Sequence, residues 1–74
     1  MKETTDFGLA VTLLNAGYYL EHIKNNNGNC IFIFRSKKDL DKVAQDYWNG
    51  KLLVDPKTFL NEIKNLKTRM YSVI

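Results

Sequence analysis

The side chains in this 74-residue chain that could do chemistry fall into three small groups. The first is Cys30 with His22, a thiol and an imidazole that a hairpin between them would bring near each other. Nucleophilic catalysis needs that pairing together with a site to hold the developing oxyanion, and no such site is evident in the surrounding residues. A thiol inside an apolar strand is also inert. A lone His without a second His, a nearby Cys or an Asp at ligand spacing reads as an ordinary half-buried residue rather than a metal ligand, so neither a metal nor a cofactor is expected. The second group is Tyr47-Trp48, residue types that anchor partners and stack on nucleobases. The bland alternative is packing: Tyr47 falls on a helix core stripe, and Trp48 at its margin would cover the connector Leu52-Leu53-Val54.

The third group is basic. Lys57, Lys64 and Lys67 fall within about 80° of one another on a helix of 3.6 residues per turn, while Arg69 lies well apart. Such a stripe could contact phosphates, with Lys51 or Arg69 in support. It could equally offset the negative end of the helix dipole and keep a small protein soluble. The charge is uneven along the chain. Residues 1–50 carry six bases and six acids, whereas Lys51, Lys57, Lys64, Lys67 and Arg69 face only Asp55 and Glu62, so the whole net charge of +3 sits in the last third.

The elements that must position these groups follow from pattern and punctuation. Thr5 or Asp6 is suited to cap a first helix through Phe7, Leu9, Ala10, Val11, Leu13 and Leu14, with Asn15-Ala16-Gly17 as its exit. So apolar a segment suits a helix buried on more than one side. Gly8 inside it costs helix propensity, which implies either close packing there or a later start. Residues 18–24 mix aromatic and β-branched residues with polar ones and read as a strand. Strict alternation would put Tyr18, Leu20 and His22 on one face and Tyr19, Glu21 and Ile23 on the other. The run Asn25-Asn26-Asn27-Gly28-Asn29 is a turn. The arm after it, Cys30, Ile31, Phe32, Ile33 and Phe34, is apolar at every position, so both its faces should meet something other than water.

Ser36 should start a second helix, with Asp39 reaching back to it, a core stripe of Leu40, Val43, Ala44 and Tyr47, and Asn49-Gly50 as its exit. Asp55-Pro56 matches the N-cap and first-turn pair of a third helix, with Phe59, Ile63, Leu66 and Met70 on one face. The connector 51–54 should fold back under the helices. The order is therefore helix, strand, strand, helix, helix: an α+β fold with one antiparallel β-hairpin packed on three helices. It makes a single domain over residues 1–74, the first four residues being flexible.

An apolar fraction of 45% with 26% charged residues excludes a disordered chain, and the single cysteine excludes an internal disulfide. Neither a membrane span nor a secretion signal is apparent, which leads to an expectation of a cytoplasmic protein.

Several blocks are familiar in combination: Asn15-Ala16-Gly17-Tyr18, Ile31-Phe32-Ile33-Phe34, Tyr47-Trp48-Asn49-Gly50, Val54-Asp55-Pro56, Phe59-Leu60 and Lys64-Asn65-Leu66-Lys67-Thr68-Arg69. With them the chain resembles, from about Thr5 to Met70, a family of short uncharacterised proteins of phages and prophages. The resemblance implies a viral or mobile-element origin and supplies no catalytic residues. The function expected is non-catalytic binding of a host or phage protein. One form of it is self-association through the free edge of the second strand, with Cys30, Ile31, Phe32, Ile33, Phe34 and Trp48 at the interface. The alternative is nucleic-acid binding through Lys51, Lys57, Lys64, Lys67 and Arg69.

Overall fold

The computed structural model describes residues 2–73; Met1 and Ile74 lie outside the described residues. Six elements follow one another: β1 (Lys2–Thr4), α1 (Phe7–Asn15), β2 (Leu20–Asn26), β3 (Asn29–Phe34), α2 (Leu40–Trp48) and α3 (Pro56–Tyr71). The α+β class, the three helices and the hairpin match the sequence reading. One strand was not expected. In place of a flexible start, Lys2–Thr4 pairs antiparallel with the end of β3, Lys2 opposite Phe34 and Thr4 opposite Phe32. The sheet order is β1-β3-β2, so the all-apolar strand is central and its backbone has a partner on both sides over Phe32–Phe34.

The hairpin closes as its sequence dictates. Asn26 and Asn29 pair across a two-residue loop, Asn27 and Gly28, both at positive φ, the pattern of a type I′ turn. Strict alternation fails in β2, however, because a bulge separates Leu20 from His22. Leu20 sits opposite Phe34 and Ile23 opposite Phe32, and all four are buried in one core. The bulge thus moves Ile23 onto the face of Leu20 and leaves His22 exposed on the other, paired with Ile33.

The helices cover one face of this sheet. Lys2 of β1 forms an ion pair with Asp41 of α2 at 3.3 Å, and the Arg69 guanidinium of α3 donates a long hydrogen bond of 3.4 Å to the Leu20 carbonyl of β2. Those two contacts place α2 towards the β1 edge and the end of α3 towards the β2 edge. Between them α1 touches both other helices, and its Phe7 meets Phe32 of β3 edge-on at 6.4 Å between ring centroids. Five consecutive α1 residues, Leu9 to Leu13, are buried, so this helix is enclosed on more than one side, as its composition requires. The one polar residue among them, Thr12, bonds its hydroxyl to the Gly8 carbonyl at 2.8 Å. Leu66 of α3 and Leu40 and Ala44 of α2 complete the same core.

Helix ends follow local rules with one exception. Asp6 caps α1 by accepting from Leu9 N–H at 2.9 Å, and Asp55 caps α3 by accepting from the N–H and hydroxyl of Thr58 at 2.9 and 2.7 Å. At the end of α2, Gly50 takes φ 67°, its N–H bonds the Tyr47 carbonyl and Lys51 N–H bonds that of Asp46, a Schellman closure that a side chain at position 50 would strain. The exception is the start of α2. It begins at Leu40 rather than Ser36, with Asp39 in the N-cap place but making no side-chain capping bond.

Candidate functional site

The strand-edge site expected from the sequence is not there as drawn. Phe32 and Phe34 are core residues, Ile33 is buried, and Cys30 and Ile31 are half-buried. Because β1 occupies one side of β3 and β2 the other, the edge over Phe32–Phe34 has no open backbone to offer a partner. The physical reason is the one the composition carried: a strand apolar at every position is a central strand, and β1 supplies the missing neighbour. The free edges of the sheet belong to β1, to β2 and, on the side that β1 does not reach, to Asn29–Ile31 of β3. That of β2 is interrupted by its bulge and met at its start by Arg69, two devices that discourage pairing.

The β1 edge is different because Trp48 stands beside it. Packing over the connector was one of the two readings of the indole; it is 62% exposed, and Leu53 of that connector is 98% exposed, so the connector does not fold back under the helices. Local geometry explains the tryptophan. Tyr47 points towards α1, where its hydroxyl donates to Asp6 Oδ1 at 3.2 Å, and Trp48, one residue on, is turned about 100° away from it on the helix. The two rings meet edge-on, centroids 5.0 Å apart. Trp48 then lines a groove with Ala44, Gln45 and Asp41 of α2 and with Lys2 of β1.

The Tyr47 anchor is close-fitting. Gly8 is the second residue of α1, and a Cβ there would overlap the Tyr47 hydroxyl. Close packing, not a late helix start, is thus why glycine stands at this position. Partial burial pushes the Tyr47 hydroxyl above its ordinary pKa of 10.0, and the neighbouring Asp6 carboxylate and their hydrogen bond push the same way. Sequence reasoning missed this trio because the pairing spans 41 positions and no local pattern announces it.

His22 and Cys30 are not brought together. His22 is opposite Ile33 and Cys30 opposite Asn25, an offset of three residues or roughly 10 Å along the strand. Among the described residues no group of three His, Cys, Asp or Glu is placed to hold a metal ion. Among the described residues no helix is long and apolar enough to cross a membrane.

The basic residues divide. Lys51, Lys57, Lys64 and Lys67 are exposed, and none of them forms an ion pair among the described residues. Arg69 points the other way, to the Leu20 carbonyl, and holds α3 against the sheet. A family model matches residues 2–72, almost the whole of the fold just described. The chain belongs to DUF5659, a domain of unknown function. No curated protein matches the chain, and no solved structure does. The family match thus spans the α+β unit without assigning it an activity.

Proposed function

We propose that this DUF5659 domain is a non-catalytic binding module that takes an extended segment of a partner protein along the free edge of β1 and against Trp48. The observation that carries the reading is the position of Trp48, largely exposed in a groove whose other wall is the outermost strand of the sheet. An added strand would find unpaired backbone groups on β1, and one of its side chains would cover the indole. Main-chain pairing supplies affinity in such complexes and the pocket beside it supplies selectivity. Tryptophan is the residue type most enriched among binding hot spots. A second copy of the chain pairing β1 to β1 is the self-associating form, since Phe32–Phe34 of β3 already have a neighbour on both sides. The resemblance to phage and prophage proteins points to a host or phage protein as partner, met in the host cytoplasm.

Trp48 is the only tryptophan, so its emission reports directly on the groove. A photo-crosslinking residue at position 48 should capture a defined protein, or a second copy, in lysate of the source cells, and the same residue at Asn61 on the exposed face of α3 should not. Complex formation with the captured protein should shift the Trp48 emission to the blue and change little with salt. If Trp48→Lys, shown to be folded by circular dichroism, bound that protein as well as the parent does, the groove would not be the site.

A further inference from the structure

The exposed side of α3 carries a pattern separate from the Trp48 groove. Phe59, Ile63, Leu66 and Met70 turn into the core. On the helical wheel Lys57, Leu60, Lys64, Lys67 and Tyr71 fall within about 80° of one another, centred about 110° from that core stripe. Their spacing alternates three and four residues, so they form one continuous row along the helix. Leu60 is 59% exposed and Tyr71 is 70% exposed, so neither is spent on the core. No acidic residue falls in the row: Asp55 is engaged as the N-cap, and Glu62 lies on the opposite flank near Arg69.

We propose that this row is a binding surface for unpaired nucleic acid, with Lys57, Lys64 and Lys67 on successive backbone phosphates and Tyr71 stacked on a base. Charge complementarity selects a polyanion. Three ammonium groups span about 15 Å of helix with no carboxylate between them to compete. The interleaved Tyr71 selects unpaired over duplex nucleotides, because a base face is open to a side-chain ring only outside the double helix. A membrane surface fits less well, since interfacial helices need a broad apolar face and the apolar face of α3 is already spent on the core. Lys57 and Tyr71 stand one at each end of the row, which gives the site a length of about 21 Å and a polarity along the strand.

The test is fluorescence anisotropy of the parent protein with labelled dT20, rU20 and a 20-base-pair duplex at 50 to 200 mM salt. Three phosphate contacts predict a log–log salt slope near −2 for a single strand, about a 20-fold loss of affinity over that range. Lys57→Gln, Lys64→Gln and Lys67→Gln should each flatten the slope by about 0.7. Tyr71→Ala should weaken single-strand binding by roughly 5- to 150-fold, leave the slope unchanged, and be rescued by Tyr71→Phe. The dT20 and rU20 arms show whether DNA or RNA is the better occupant. No binding of either single strand at 50 mM salt, tighter binding of the duplex that ignores Tyr71, or binding of phosphatidylglycerol vesicles without binding of oligonucleotides would each overturn the proposal. All these positions are exposed, so the variants should melt as the parent does, and their circular dichroism confirms that the fold is kept.

Discussion

Replacing Gly8 by alanine sets two opposed terms against each other at one atom. In an open helix interior the change stabilises by about 1 kcal/mol, less in the first turn, through backbone entropy and propensity. Here the new methyl group would occupy the place of the Tyr47 hydroxyl and press on the ring carbon behind it, 3.3 Å away. The ring cannot retreat freely, because Trp48 packs on it edge-on and its hydroxyl is held by Asp6. Displacing that hydroxyl forfeits a hydrogen bond to a carboxylate, a class worth about 1.5 to 3 kcal/mol and nearer the lower figure at a partly buried site. The balance is a net destabilisation of about 1 kcal/mol, which for a domain of this size lowers Tm by about 4–8 °C. In a Tyr47→Phe background the hydroxyl is absent, and the same Gly8→Ala change should be neutral or slightly stabilising. Urea denaturation of the four proteins, followed by circular dichroism and Trp48 fluorescence, closes the double-mutant cycle. A coupling of at least about 1 kcal/mol is expected; single effects that add to within about 0.3 kcal/mol, or a Gly8→Ala that stabilises the parent, would refute the packing argument.

Three further outcomes follow from the same contacts. Because the fold favours the neutral Tyr47 hydroxyl, the associated stability is full below the ordinary value of 10.0 and is lost as pH rises through the raised folded value. Tyr47→Phe should therefore flatten the alkaline limb of a stability–pH profile measured by urea midpoints. At the other end, hydrogen bonds from Thr58 hold the Asp55 carboxyl below its ordinary 3.8, so its capping contribution is present above that value and disappears as pH falls through the lowered folded one; Asp55→Asn should keep the cap but remove this acid dependence. Gly50→Ala should destabilise by about 1–2 kcal/mol, read from the shift in denaturation midpoint, because alanine must adopt the left-handed conformation that closes α2.

What could be read from the residues was mostly local. The Asn27-Gly28 turn, the glycine exits of α1 and α2, the Asp55-Pro56 start of α3 and the enclosed character of α1 each depend on a few neighbouring side chains, and each is found in the structure. The failures all involve distance along the chain or a break in period. Lys2-Glu3-Thr4 has no strand pattern of its own and becomes β1 only because β3 lacks a second neighbour. The bulge at Leu20 and His22 shifts which residues face the core, and alternation cannot foresee an added residue. Helix α2 starts four residues after Ser36, and Asp39 makes no side-chain capping bond there. For the surface, the lysine stripe was visible from spacing alone. The exposure of Leu60 and Tyr71 beside it was not, since an apolar residue flanking a core stripe looks like core until the packing is known. For Trp48 the sequence left partner anchor and connector cover side by side, and only its exposure separates them.

The unequal grip on β3 has a consequence for how the protein fails. Six register pairs zip β2 to β3 across a tight turn, whereas β1 is held by three and must return across an intervening helix to make them. Detachment of β1 is thus the least costly opening of the sheet, and it uncovers the backbone of Phe32, Ile33 and Phe34, the most apolar stretch of the chain. In crowded or mildly destabilising conditions that transient opening is a nucleus for strand exchange between copies. Faster amide exchange at the Phe32–Phe34 groups that face β1 than at their neighbours that face β2 would mark it, and the three polar residues of β1 then act as a gatekeeper against aggregation.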